Sequence, residues 1–313
     1  MDKVIFFHMN QLGDFMFCLP VLEAARREWP DKKIYSYIRP ELGRLAKATG
    51  FVDEIIEKGN GFGLRLNETA LIKKESISKA ILFSESPESV LVSLVCGIPE
   101  RSGFESASLS FFLTQKSKKS GVPSLKNNMN LGLGAGLKNI RKDYSGLVKI
   151  PDKEKAVVDG WLSQKKIDPS RLIALSPGTS SRRKEKTWQK EKWLELIGLL
   201  IDKNRFVVLC GSPQEKGELE NISKEFKERV SIFADFGIIA LGALLVKSKL
   251  FLGVDSGAMH LAASLKTKVA ALFGPTDPLQ VGPQPLENHI IIRKDSMSQI
   301  EISDVWERIR DVS

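Results

Sequence analysis

The residues best placed to do chemistry lie in two polar turns of the stretch Lys249–Pro278. Asp255-Ser256-Gly257 closes the apolar run Leu250–Val254 and opens a helix-forming segment, Ala258–Leu265, that contains His260. Gly274-Pro275-Thr276-Asp277-Pro278 closes a second apolar run, Val269–Phe273. Carboxylates, hydroxyls and the free amides of a helix start suit an anionic ligand, because first-turn N–H groups carry partial positive charge. The apolar runs read as buried parallel strands, and open α/β sheets bind ligands beyond the carboxyl ends of their strands. Asp255, Ser256, Gly257, Thr276 and Asp277 are therefore expected to face one crevice. The plainer alternative makes each turn only a helix cap or a rigid loop. Two such turns at one sheet edge weigh against it.

Three further turns follow apolar runs. Ser176–Lys186, after Leu172–Leu175, combines small residues, hydroxyls and cations. That composition suits a diphosphate: amides and hydroxyls position it and lysine neutralises it. A solvated basic loop is the alternative, with about even weight when the stretch is taken alone. Gly211-Ser212-Pro213, with Glu215 or Glu218, offers carboxylates for sugar hydroxyls, although an acidic helix start explains the same residues. Gly13-Asp14 puts a carboxylate after Lys3–Phe7, where an N-cap is the simpler role. His8, His260 and His289 have no carboxylate or cysteine at ligand spacing, so no metal site is expected. His260 suits a phosphate-loop hydrogen bond and a satisfied core position equally. Neither a Gly-x-Ser-x-Gly elbow, a Gly-x-Gly-x-x-Gly turn nor a P-loop lysine is present.

The elements that must hold these turns alternate. Strands are predicted at Lys3–Phe7, Ile34–Ile38, Val52–Ile56 and Ala80–Phe83, with helical segments between them. The same alternation resumes at Leu172 and runs to Phe273. It predicts two α/β halves with parallel sheets and no repeat in sequence. Gln115–Asn130, rich in lysine, serine, glycine and asparagine, reads as an exposed basic loop, and Asp168-Pro169 as the interdomain linker. Ile302–Val312 reads as a terminal amphipathic helix.

At 313 residues, 42% hydrophobic and 27% charged, the chain suits two ordinary globular domains. No apolar stretch matches a membrane span, and MDKVIFFHMN lacks a small-residue cleavage site, so no secretory signal is expected. Cys18, Cys96 and Cys210 are widely spaced in apolar surroundings, as in a reduced cytosolic protein. A net charge of +9 favours anionic partners. Nothing resembles a nucleic-acid-binding module, so a phosphorylated ligand or an anionic membrane surface is preferred.

Asp255-Ser256-Gly257, Met259-His260, Ala262-Ala263 and Phe273-Gly274-Pro275-Thr276-Asp277-Pro278 together resemble the signature of glycosyltransferase family 9, the lipopolysaccharide heptosyltransferases. Leu12-Gly13-Asp14 with Leu19-Pro20, Arg101-Ser102-Gly103-Phe104, Ser176-Pro177-Gly178 with Lys186, Trp188 and Trp193, and Leu209–Glu215 resemble other family segments in order. Met9-Asn10-Gln11 departs from the family, which often carries a hydroxyl or basic residue there. The resemblance implies a GT-B fold, two Rossmann-like domains facing each other across a cleft. Residues 1–165 would bind the acceptor and 166–299 the donor, with helix 300–313 packing back on the first domain.

The implied reaction is inverting transfer of heptose from ADP-heptose to the lipopolysaccharide inner core, Kdo or heptose on lipid A. It implies no metal and no cofactor beyond the nucleotide-sugar co-substrate. Asp14 would be the catalytic base. Ser180, Ser181, Lys186, Glu215, Phe236, Asp255, Ser256, Gly257 and His260 would bind the donor, the phosphate contacts among Ser180, Ser181 and Arg182 staying open. Gly13, Lys116, Lys118 and Lys119 would serve the acceptor, at the inner face of the cytoplasmic membrane. A GT-B enzyme for another nucleotide sugar, transferase or epimerase, and a non-catalytic nucleotide-sugar-binding module are the rivals.

Overall fold

The computed structural model describes residues 2–59, 62–121, 123–178 and 183–312, and contacts divide the chain into two units, Met1–Leu147 and Val148–Ser313. The first unit runs β1 (Lys3–Phe7), α1 (Leu12–Glu28), β2 (Lys33–Ile38), α2 (Pro40–Ala48), β3 (Glu54–Glu57), α3 (Phe62–Lys74), β4 (Lys79–Leu82), α4 (Pro87–Val95), β5 (Glu100–Phe104), β6 (Gln115–Ser117) and α5 (Ser124–Gly134). The second runs α6 (Asp152–Gln164), β7 (Leu172–Ser176), α7 (Lys190–Asp202), β8 (Phe206–Cys210), α8 (Lys216–Ser223), β9 (Val230–Phe233) and α9 (Gly237–Lys247). It continues through β10 (Leu250–Val254), α10 (Gly257–Ser264), β11 (Val269–Phe273), α11 (Pro278–Val281), β12 (Ile290–Arg293) and α12 (Ile302–Ile309).

Each unit holds one parallel six-stranded sheet, in the orders β3-β2-β1-β4-β5-β6 and β12-β11-β10-β7-β8-β9. In both, the chain starts at the centre, winds to one edge and returns to build the other half. This is the doubly wound order, and its reversal lies between β1 and β4 in one sheet and between β7 and β10 in the other. Loops diverge there, leaving room at the carboxyl ends of the strands. Helices cover both faces, so β7, β10 and β11 are buried at every residue, which explains their unbroken apolar composition. These two Rossmann-like units are of the GT-B class.

Three expectations are corrected. The supposed basic loop 115–130 contains β6 and most of α5. Leu125, Asn127, Asn128, Leu131 and Gly132 are the buried residues of α5, which packs on α1. Asn127 accepts from Ser120 N (2.9 Å) and donates to Gly121 O (2.8 Å). At Gly132 a Cβ would stand 2.9 Å from Val21 Cγ1, so the helices meet through a glycine. Asparagines and a glycine on the buried stripe hide its helical period. Division by contacts falls at Leu147/Val148 rather than near Asp168, because α6 packs on α9. Finally, α12 belongs to the second unit: Val305 and Ile309 are fully buried in one cluster with Trp193, Leu196 and Ile292.

Candidate functional site

Parallel pairing sets Gly253 of β10 opposite Ser176 of β7, so the loops leaving these strands emerge side by side. Lys186, arriving from the loop after β7, places Nζ 2.6 Å from Oδ2 of Asp255, the first residue after β10. The pair is sheltered, with side chains 14% and 7% exposed. Two residues from separate turns, 69 positions apart, therefore meet at the reversal point. Ser256 follows in extended conformation as the N-cap of α10, yet its side chain does not cap the helix. Its Oγ and Thr276 Oγ1 are shielded from solvent and make no hydrogen bond among the described residues. The first-turn amides of α10, from Gly257 onward, point to the same edge. An ammonium held by a carboxylate, a spare hydroxyl and a helix start form an anion-binding arrangement.

His260 is buried one turn into α10, and its pKa falls to about 4. Burial is the main cause; Asp255 opposes the shift, and Lys186 and His289 reinforce it. The ring is therefore neutral at pH 7 and is not a cation for phosphate. Asp277 takes its simpler role, accepting from Leu279 N to cap α11 and from Arg293 (3.1 Å each). Ser180, Ser181 and Arg182 lie outside the described residues.

Glu215 follows β8. Its Oε2 accepts from both N and Oγ of Ser212 (2.7 Å each), closing a capping box. An added Cβ at Gly178 would stand 2.2 Å from Glu215 Oε1, so glycine lets the loop after β7 lie against this carboxylate. Phe236 follows β9 as the N-cap of α9, stacked on Phe233 (ring centroids 4.2 Å apart, 11° between planes) with Trp161 edge-on at 6.0 Å. Trp161 was not anticipated, and its position in a charged helix gave no signal for it.

In the first unit, Gly13 and Asp14 occupy the second and third positions of α1, beside the reversal between β1 and β4. The N-cap is Gln11, so the N-cap role expected as the simpler alternative for Asp14 does not hold. Asp14 is half-buried, and after burial its charge is the second cause of the raised pKa of Cys18. His8, at the end of β1, is buried among Phe6, Phe15 and Phe83, with Nε2 3.0 Å from Ser36 Oγ. Burial lowers its pKa to about 3. Lys116 and Lys118 are exposed, but Lys119 pairs with Glu85, which also accepts from Ser106, and lies over the Phe104 ring at 4.9 Å. Lys119 thus ties loops together.

Residues 70–305 match the family described as glycosyltransferase family 9 (heptosyltransferase). A lipopolysaccharide heptosyltransferase 1 from Escherichia coli O18:K1:H7 is 29% identical over 42% of this chain and 41% of its own length. The chain thus aligns with less than half of that relative. Two solved E. coli structures share the fold across the whole chain. An ADP-heptose lipopolysaccharide heptosyltransferase II has 21% identity, coverage of 99% and 98%, and a TM-score of 0.85. Heptosyltransferase WaaC, solved with ADP, has 19% identity, coverage of 99% and 100%, and a TM-score of 0.81.

Proposed function

Because the chain belongs to glycosyltransferase family 9 (heptosyltransferase), we propose that it is an inverting transferase moving heptose from ADP-heptose to the lipopolysaccharide inner core. One observation carries the donor assignment: the order of chemistries along the carboxyl edge of the second sheet. Ser256 and Gly257 follow β10, Lys186 comes from the loop after β7, Glu215 follows β8, and Phe236 follows β9. An anion site, a carboxylate and an aromatic face thus succeed one another over neighbouring strands. That is the order of diphosphate, ribose diol and adenine in ADP. The ADP bound to the related WaaC supports the same nucleotide.

In this reading a sugar hydroxyl of the acceptor attacks the anomeric carbon from the face opposite the diphosphate. The new C–O bond forms as the bond to the diphosphate oxygen breaks, and the leaving group takes that electron pair. Asp14 accepts the hydroxyl proton, work that typically contributes ~10²–10⁴-fold in rate. Lys186, with the amides at Ser256 and Gly257, stabilises the charge that builds on the diphosphate. Asp255 holds the ammonium in place beforehand, so little reorganisation accompanies reaction. Gly13, Lys116 and Lys118 serve the anionic acceptor, whereas Lys119 acts indirectly through Glu85. The reading places the enzyme on the cytoplasmic side of the membrane that carries its acceptor.

The test is a turnover assay read by mass, with ADP-heptose and a panel of other nucleotide sugars against inner-core acceptors ending in Kdo or heptose. A product heavier by one heptose is expected. Turnover with a different sugar, or epimerised donor without transfer, would replace the reading by the corresponding GT-B activity. Binding of ADP without any turnover would leave a binding module.

A further inference from the structure

One face of the first sheet is covered by α3, α4 and the turn Ser110–Phe112, whose inner residues Ile72, Val90, Val92 and Phe112 join a single core with Leu113. The outer side of this layer is unusually apolar. Leu66 and Leu71 on α3, Leu91 and Val95 on α4, and Phe111 on the turn are between 43% and 68% exposed. Monomeric soluble proteins scatter such residues singly, whereas Leu91 and Val95, four positions apart, share one side of α4 next to the aromatic turn, and Leu71 alone turns away to the β3 edge beside Glu54, Glu57 and Glu75. Arg101 holds the aromatic turn rigidly, donating to Phe112 O through Nε (3.0 Å) and Nη2 (2.8 Å). Phe111 is therefore presented from a fixed turn.

Charge identifies the occupant. Lys73 and Lys74 end α3 and are exposed. Lys116 projects on the same side of the sheet, as register shows. It pairs with Gly103, whose missing Cβ would meet Leu113 of this layer, while the next residue, Ser117, faces α5 through Gly134. Neighbouring strand residues alternate between faces, so Lys116 lies on the apolar layer's side. Glu75 is engaged with Lys3 (2.8 Å) and Glu85 with Lys119, while the exposed Glu57 stands at the β3 edge beside Leu71. A fixed aromatic, the aliphatic side chains Leu66, Leu91 and Val95 and three exposed lysines form the apolar-plus-basic combination that seats on anionic lipid headgroups. We propose that this face docks the enzyme on an anionic lipid bilayer. The inference rests on the lipid-borne acceptor of the proposed reaction and names the surface that brings the protein to it.

Two separate readouts test it on the full-length protein. Flotation with phosphatidylglycerol–phosphatidylcholine vesicles, against phosphatidylcholine alone, measures docking without any substrate. Transfer to an acceptor freed of its lipid measures catalysis without any vesicle. The wild type should float with the anionic vesicles and release as salt rises. Phe111→Ser with Val95→Ser should reduce the bound fraction by roughly tenfold or more, at unchanged melting temperature and unchanged transfer to the freed acceptor. Lys73→Gln and Lys74→Gln should each cost about fivefold. Wild type that stays off anionic vesicles, or variants that float equally well, would overturn the proposal. So would light scattering that shows a wild-type dimer dispersed by Phe111→Ser, which assigns the face to a second copy. Loss of transfer to the freed acceptor in the wild type would instead count against the proposed reaction.

Discussion

Replacing Lys186 by methionine separates the stability of the site from its affinity. The ammonium lies 2.6 Å from an Asp255 carboxylate that is 7% exposed, so its removal strands a sheltered charge. Breaking a buried pair costs about 3–5 kcal/mol; the lysine end keeps some solvent, so about 3 kcal/mol applies here. For a unit the size of Val148–Ser313 that lowers the melting temperature by roughly 6–12 °C. Loss of a charge-assisted contact should independently weaken ADP by about 1.5–3 kcal/mol, or roughly 10–150-fold. Adding Asp255→Asn removes the stranded charge, so Lys186→Met/Asp255→Asn should recover most of the lost melting temperature. It should not recover ADP affinity. Differential scanning fluorimetry and titration calorimetry of the three proteins decide the matter. If the double variant binds ADP like the wild type, the lysine is structural and the diphosphate lies elsewhere.

Asp14→Asn should lower kcat by ~10²–10⁴-fold while stability changes by no more than the ~0.3–1 kcal/mol of a first-turn dipole contact; near-normal turnover would remove Asp14 as the base. Histidines should govern stability just below neutrality. His8 and His260 titrate near 3 and 4 in the folded chain, against about 6.5 when unfolded. The unfolded state therefore binds more protons between those values, and the stabilisation present above about pH 6.5 is lost as pH falls. Each ring contributes about 2 kcal/mol of that loss by about pH 5, and an unchanged urea midpoint between pH 7 and 5 would contradict it. Gly178→Ala should cost about 0.5–2 kcal/mol, the loss of a cap, because the added methyl pushes the far end of Glu215 out of its capping box with Ser212. Added to Glu215→Ala, which already lacks the box, it should cost little more, and melting curves that show the full cost there would exclude this contact as its source.

Much of the architecture was legible because parallel strands covered on both faces write themselves as apolar runs, as in Leu172–Leu175 and Val269–Phe273. The signature turns likewise stood out, since turn-formers interrupt those runs at strand ends. The helix α5 did not stand out, because Asn127, Asn128 and Gly132 occupy its buried stripe and break the apolar period. The terminal helix had a clear amphipathic pattern, but a pattern says only that one side is buried, not against what. Residue types marked Lys186 and Asp255 separately as ligand contacts. Their pairing belongs to the tertiary structure, because it depends on β7 and β10 being neighbours. The stacked Phe233, Phe236 and edge-on Trp161 were hidden for the same reason.

The strand order also bears on how the site comes into being. Most paired strands join nearby stretches of chain, as Phe251 against Val269 does. The pairs flanking the two reversal points are the exceptions: Leu250 lies against Ile173, 77 residues away, and Val4 against Lys79, 75 away. Closing such long loops is entropically the costliest pairing in each sheet, and contacts of this separation form slowly. The ends of β7 and β10 are thus expected to come together late, after the flanking βα units have formed. Under the proposed function, nucleotide bound there would stabilise an arrangement expected to be absent from the folding transition state. Bound ADP is accordingly expected to slow unfolding while leaving the folding rate nearly unchanged, so ligand protects the finished enzyme and does little for the nascent chain.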